Sequence, residues 1–251
     1  MNTPPAIELR NLSVGYDGTP LIQGINLRVE KGEILFILGG SGCGKSTLLK
    51  HIIGLLPPIA GEVWLAGHCF APQPQEVQQK LTRLFGVTYQ SGALFGNMTL
   101  QENVELPLES FTELSAIARA ETARYKLAQV GLLNRAGHYP SEISGGMKKR
   151  AAIARALALD PQILFLDEPS AGLDPITSAE LDALIRQLAT GLGIAVVVIS
   201  HELASIESIA DRAVFLDPSV KGILEVGPPA ELKARSPHQR VRDFFNRRLP
   251  G

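Results

Sequence analysis

Gly39-Gly40-Ser41-Gly42-Cys43-Gly44-Lys45-Ser46-Thr47 follows the apolar run Ile34-Leu35-Phe36-Ile37-Leu38 and opens into Leu48-Leu49-Lys50-His51-Ile52-Ile53. That order reads as a buried strand, a glycine-rich turn and the first turns of a helix. Glycines let the backbone curl so that successive N–H groups point into one concavity. The helix N-terminus adds partial positive charge, and the turn therefore favours phosphate. In such a loop Lys45 reaches the β- and γ-phosphates and the Ser46 hydroxyl ligates Mg²⁺. A plain flexible Gly/Ser loop would not need this spacing between a strand and a helix.

The rest of the chain sets limits on what this loop can serve. At 251 residues with 45% hydrophobic content, the chain can build one large domain or two small ones. A formal net charge of −1 gives no overall pull towards nucleic acid, and no nucleic-acid partner is expected. The two cysteines, Cys43 and Cys69, form neither a metal-ligand spacing nor a disulfide framework, which fits a reduced, cytosolic protein. Met1-Asn2-Thr3-Pro4-Pro5 lacks the basic start and apolar core of a signal peptide. Apolar runs such as Ile194–Ile199 are too short to span a bilayer, so a membrane role is expected to come through a partner.

Alternation of apolar and polar residues predicts half-exposed antiparallel strands over Ile7–Val14 and Ile25–Val29, with a turn over Val14–Gly18. Further strands are expected at Gly61–Leu65 and Phe85–Gln90, and a short helix over Val77–Leu84. From about residue 91 to 159 the pattern turns helical. Thr99 with Glu102 reads as a capping box, Ser115–Val130 as a helix ended by Gly131, and Ser144 as the N-cap of a helix through Ala158. Ile163–Leu166 is a continuous apolar run of the buried parallel type. A helix from about Thr177 to Ala189, the strand Ile194–Ile199, a helix from Glu202 and a hairpin of Val214–Leu216 with Ile223–Val226 complete the pattern. The expected fold is α/β. A P-loop NTPase core, with a mostly parallel sheet and helices on both faces, carries an antiparallel β subdomain and an α-helical insertion subdomain.

Asp167-Glu168 ends the strand Ile163–Leu166, at the carboxyl edge where open α/β sheets hold ligands. Beside a phosphate loop, Asp167 can hold Mg²⁺ through water and Glu168 can polarise an attacking water. Ser144-Gly145-Gly146-Met147 is a second glycine-rich helix N-terminus suited to an anion. Two phosphate-ready termini far apart in one chain suggest a nucleotide held between two subunits. Lys148-Lys149-Arg150 reads as a solvated helix face, and Cys43 as an incidental small residue whose thiol, if exposed, could be modified.

These ordered motifs resemble the ATP-binding cassette family over nearly the whole chain. Gly39–Thr47 is similar to Walker A, with Gly40 where proline is common. Gln90 resembles the Q-loop glutamine, and Ile143–Met147 the signature, with Ile143 and Met147 replacing leucine and glutamine. Asp167-Glu168 resembles Walker B, Asp174 the D-loop aspartate, and His201 the switch histidine; Tyr16 stands where the family stacks an aromatic on adenine. The resemblance implies an ATP hydrolase whose two copies close head to tail around two ATP molecules. Residues 39–47, Tyr16, Ser144, Gly145, Gly146, Asp174 and His201 would then bind nucleotide, with Lys45 and His201 on the γ-phosphate. Ser46, Gln90 and Asp167 would hold Mg²⁺, and Glu168 the hydrolytic water. Met147 removes one amide from the signature; Ser144 and the neighbouring backbone can still bind phosphate, and activity is expected to survive.

Three stretches are similar to the ATPases of Mla-type (MCE) phospholipid transporters: Tyr89–Phe95 with Asn103-Val104 and Pro107-Leu108, Ser144–Ala151, and Asp167–Thr177. That resemblance implies a peripheral ATPase dimer on the cytoplasmic face of the inner membrane. It would drive a permease that moves lipid between the inner and outer membranes. A small STAS-domain protein and an MCE-domain lipid-binding protein are implied as further partners. The expected division is a nucleotide-binding domain over residues 1–235 and a basic tail over 236–251. In that tail Arg240, Arg242, Arg247 and Arg248 accompany Val241, Phe244 and Phe245 at helical spacing. It reads either as a terminal helix packed on its own domain or as a docking segment. Competing readings are the ATPase of another importer or exporter, and a soluble cassette acting on DNA or ribosomes. The latter usually carries tandem cassettes or a coiled-coil insertion, and neither is seen.

Overall fold

β3, Ile34–Gly39, is buried along its whole length, and its alternate side chains feed two different cores. Ile34, Phe36 and Leu38 face the helical side; Leu35 and Ile37 face the antiparallel side. A strand apolar on both faces belongs inside a parallel sheet covered on both sides. The computed structural model describes residues 4–247. The reading of Met1, Asn2 and Thr3 and that of Arg248 fall outside them.

The first two strands, β1 (Ile7–Tyr16) and β2 (Thr19–Val29), precede β3 and are longer than the alternation predicts. Their turn is only Asp17-Gly18, with φ of 50° and 73°, the geometry of a two-residue hairpin whose twist matches its strands. Bulges between Leu9 and Leu12 and again at Val14 shift the register, so simple alternation fades before the hairpin ends. β4 (Ala60–Leu65) and β5 (His68–Ala71) complete a four-stranded antiparallel sheet in the order β2-β1-β4-β5. β5 was not expected from the sequence.

Five more strands, β6 (Phe85–Thr88), β7 (Ile163–Asp167), β8 (Ala195–Ile199), β9 (Arg212–Asp217) and β10 (Gly222–Gly227), join β3 in a second sheet of order β10-β9-β3-β8-β7-β6. All its pairings are parallel except the β9–β10 hairpin at the edge. The fold is thus an α/β P-loop core with an antiparallel sheet laid against it.

α1 (Lys45–Ile52) leaves the loop after β3. α2 (Gln75–Leu81) ends where the predicted helix continues, and Thr82–Leu84 forms a 3-10 turn instead. Between β6 and β7 lie α3 (Leu100–Phe111), α4 (Ala116–Gln129) and α5 (Gly145–Ala156). Thr99 and Glu102 form the capping box of α3, Ser115 caps α4 and Ser144 caps α5. α6 (Pro175–Leu192) starts earlier than predicted because Asp174 caps it and Pro175 occupies its first turn. α7 (Leu203–Ile209) follows β8.

α8 (Pro229–Arg235) and α9 (Gln239–Phe245) close the chain. Val241 and Phe245 are buried in the helical-side core, and Phe244 stacks edge-on against Phe215 with centroids 5.4 Å apart. Arg240 forks onto both oxygens of the buried Asp217, at 2.8 and 2.9 Å. α9 is therefore packed on its own domain, and its apolar face is covered.

Candidate active site

The phosphate loop has a buried floor and an open rim. Gly39, Cys43 and Gly44 are buried, while Gly40, Ser41, Gly42 and Ser46 are exposed. Gly39 (φ 145°) and Gly44 (φ 101°) are required twice over, by conformation and by space. A Cβ on Gly39 would lie 2.5 Å from the Leu216 carbonyl, and one on Gly44 would lie 2.7 Å from Ile22. The Cys43 thiol points into the floor and is 3% exposed, which removes the expectation of an exposed, modifiable thiol. Lys45 bends back over the loop and donates to the carbonyls of Gly39 (2.9 Å) and Gly40 (3.0 Å). An ammonium already poised across the rim can exchange those carbonyls for phosphate oxygens.

Thr47 faces away from the rim and meets Tyr16, whose hydroxyl lies 3.2 Å from its Oγ1. Half of the Tyr16 ring stays exposed beside the loop. A residue not singled out from the sequence, His51, ties these parts together. It is fully buried, its Nδ1 lies 2.8 Å from the Thr47 carbonyl, and its Nε2 accepts the Gly15 N–H at 3.4 Å. The end of β1 is thus pinned to α1, and Tyr16 to the loop.

At the carboxyl edge of β7, Asp167 is half-buried. Burial pushes its carboxyl above the usual range; Glu168 adds to this, while Lys45, Lys149 and Lys50 oppose it. Glu168 sits at φ 48°, with its N–H donating to the Ile199 carbonyl at 2.8 Å. The turn brings its carboxylate against His201, whose Nδ1 is 2.8 Å from Oε1. Most of the His201 side chain is exposed (74%), whereas that of Glu168 is not (16%). Gln90, Asp167, Ala171 and Gly172 line one open cleft here. Lys45, Asp167, Glu168 and His201 all cluster at the carboxyl ends of β3, β7 and β8, and Gln90 follows β6.

The signature residues lie elsewhere. Ser144 accepts the Met147 N–H at 3.3 Å, and no hydrogen bond among the described residues joins Ser144, Gly145 or Gly146 to residues 39–47. Gly146 has a packing reason of its own: a Cβ there would lie 2.4 Å from Thr177 Cγ2, so α5 and α6 touch through it. Asp174 is fully exposed and accepts from Thr177 Oγ1 (2.6 Å) and from the N–H groups of Ile176 and Thr177. The Thr177 hydroxyl, then these N–H groups, hold its carboxyl below the usual range.

Lys148-Lys149-Arg150 is not simply a solvated face. Lys149 Nζ donates to the Gln90 carbonyl and to the Glu168 carbonyl, the latter at 3.2 Å. Burial pushes its ammonium below the usual lysine range, against the pull of Glu168 and Asp167. Arg150 pairs with Glu180 at 2.9 Å, and Arg155 reaches the carbonyls of Gly92 and Ala93 at 3.1 and 2.7 Å. These contacts cross tertiary gaps that residue spacing does not reveal.

The family profile described as ABC transporter matches residues 22–171. Over 240 residues the chain is 39% identical to the "Intermembrane phospholipid transport system ATP-binding protein MlaF" of Escherichia coli strain K12, covering 96% of this chain and 88% of that protein. It is 36% identical over 250 residues to the "Probable ribonucleotide transport ATP-binding protein mkl" of Mycobacterium bovis, covering 98% and 68% respectively. A dimeric structure of the ATP-binding cassette MJ0796, in a post-hydrolysis state with ADP and Pi, superimposes with a TM-score of 0.78 at 30% identity. That match covers 88% of this chain and 98% of MJ0796.

Proposed function

This chain belongs to the ATP-binding cassette family of transporter ATPases and is an ATP hydrolase, and from that premise we propose that it drives phospholipid movement between two membranes. The observation carrying the catalytic part is the Glu168–His201 contact beside the phosphate loop. In this reading Lys45 and the loop N–H groups bind the β- and γ-phosphates, Tyr16 supports the base, and His201 contacts the γ-phosphate. Glu168 accepts a proton from the attacking water as its oxygen bonds to the γ-phosphorus, and ADP leaves. Ser46, Gln90 and Asp167 offer only oxygen ligands with a single carboxylate, which suits Mg²⁺ shared with phosphate oxygens and water. That ion would neutralise charge developing on the phosphates.

A second copy supplies Ser144, Gly145 and Gly146 to complete each site, with Asp174 at the seam. Their separation from the phosphate loop within one chain supports this, as does the dimeric form of MJ0796. No helix among the described residues is long and apolar enough to cross a membrane. In this reading the chain is coupled to a permease, as the transport-system relatives suggest. We place the dimer on the cytoplasmic face of the inner membrane. An MCE-domain lipid carrier and a small STAS-domain protein are its further partners.

The lipid reading rests on the MlaF relative and the motif stretches at Tyr89–Phe95, Ser144–Ala151 and Asp167–Thr177. The mkl relative supports a second reading, as the ATPase of a transporter with other cargo. Purification of the tagged chain from membranes separates the two. A co-purifying permease with bound phospholipid supports the first; a permease carrying a different solute and no lipid overturns it.

A further inference from the structure

α5 carries two sets of groups that point to different places. Its N-terminus carries Ser144, Gly145 and Gly146, which make no hydrogen bond to the chain's own phosphate loop among the described residues. Three residues beyond Gly146, about 4.5 Å along the axis, Lys149 turns inward and spans the chain's own Gln90 and Glu168. Both acceptors are main-chain carbonyls, so the contact fixes backbone rather than side-chain charge. The backbone it fixes is unusual. Glu168 is a non-glycine residue at φ 48°, a conformation costing on the order of 1–3 kcal/mol. It persists because its N–H is held by Ile199 and its C=O by Lys149. The loop after Gln90 is held likewise: Gly92 and Ala93 both have positive φ, and their carbonyls are gripped by Arg155 of the same helix.

We infer that Lys149 is a positioning residue that links the two composite ATP sites, tying the signature terminus of α5, engaged on one nucleotide, to the Glu168 and Gln90 backbones that act on the other. This rests on the two-subunit reading above. Displacement of the α5 N-terminus by the partner's nucleotide moves Lys149 with it, since a helix is stiff over one turn. The Glu168 carboxylate then moves relative to its own γ-phosphate. Lys149 touches neither nucleotide nor metal in this scheme, and its loss leaves the phosphate loop intact.

The test compares full-length wild type, K149M and K149R, with R150Q as a neighbouring-cation control. ATP hydrolysis is measured as a function of ATP concentration, nucleotide affinity with trinitrophenyl-ATP, and fold by Tm. For K149M the expected result is a kcat about tenfold or more lower, trinitrophenyl-ATP affinity within about threefold of wild type, and a Hill coefficient falling from above one towards one. K149R, which keeps the donors, recovers part of both, and R150Q behaves as wild type. Unchanged kcat and Hill coefficient in K149M overturn the inference. So does a loss of nucleotide affinity and Tm in step, which marks a purely structural lysine. If K149M does not fold, K149Q decides, because its shorter neutral amide cannot span both carbonyls: a lowered kcat and Hill coefficient at wild-type nucleotide affinity support the link, and fully wild-type kinetics reject it. A wild type whose ATP dependence has a Hill coefficient of one overturns the inference, since uncoupled sites leave nothing for Lys149 to link, whereas a single-chain mass for ATP-bound E168Q would overturn the two-subunit reading itself.

Discussion

His201 Nδ1 lies 2.8 Å from Glu168 Oε1, although the two residues follow different strands, β8 and β7. The imidazole N–H donates to the carboxylate and fixes the direction in which Glu168 presents its other oxygen. H201A should therefore lower kcat about 10²-fold, the scale expected when a reacting group is misplaced by about an ångström. Steady-state ATP hydrolysis checks this; a rate within twofold of wild type would mean that Glu168 is oriented by other means.

α5 and α6 meet where Gly146 faces Thr177 Cγ2. G146A should cost about 1–3 kcal/mol through overpacking and lower hydrolysis by displacing the signature terminus. T177S removes the clashing methyl while keeping the hydroxyl bonded to Asp174. In a double-mutant cycle read by urea unfolding, T177S should recover most of that loss. Additive losses would contradict the contact.

Asp167 predicts a trade between stability and activity. Burial, with Glu168 adding, holds its folded-state pKa above the unfolded value of about 3.9. Its contribution to stability is then fully present below about pH 4 and is lost as pH rises through the folded value. D167N should raise Tm at neutral pH, and the gap to wild type should close on acidification. The same variant should lose Mg²⁺-dependent hydrolysis. A Tm gap independent of pH would contradict the burial argument.

The terminal helix should matter to folding before it matters to any partner. Phe245 is 3% exposed inside the helical-side core. F245A is expected to cost about 3–5 kcal/mol in urea unfolding, and removal of residues 236–251 more. A truncated chain with wild-type stability would show that α9 is only loosely placed.

The parts legible in the sequence are those in which a local rule and a tertiary need coincide. Gly39 and Gly44 are demanded both by positive φ and by the Leu216 and Ile22 atoms facing them, so the loop stands out from its glycines alone. Capping residues such as Thr99, Ser115 and Ser144 are equally local. The antiparallel hairpin was read short because its bulges break the two-residue period. Lys149, Arg155 and His51 were missed because their partners are backbone carbonyls and an N–H group, which carry no sequence signal. A lysine among lysines on a helix looks solvated until the fold shows what lies opposite.

The two-subunit clamp is tested most directly by the molar mass of E168Q with Mg²⁺ and ATP, measured by light scattering alongside hydrolysis. Glu168→Gln removes the base but leaves the phosphate loop, Ser144 and Gly146 untouched. The expected result is a species of twice the single-chain mass that holds ATP and turns it over at least about 10²-fold more slowly than wild type. A single-chain mass with ATP bound, or hydrolysis close to wild type, would contradict it.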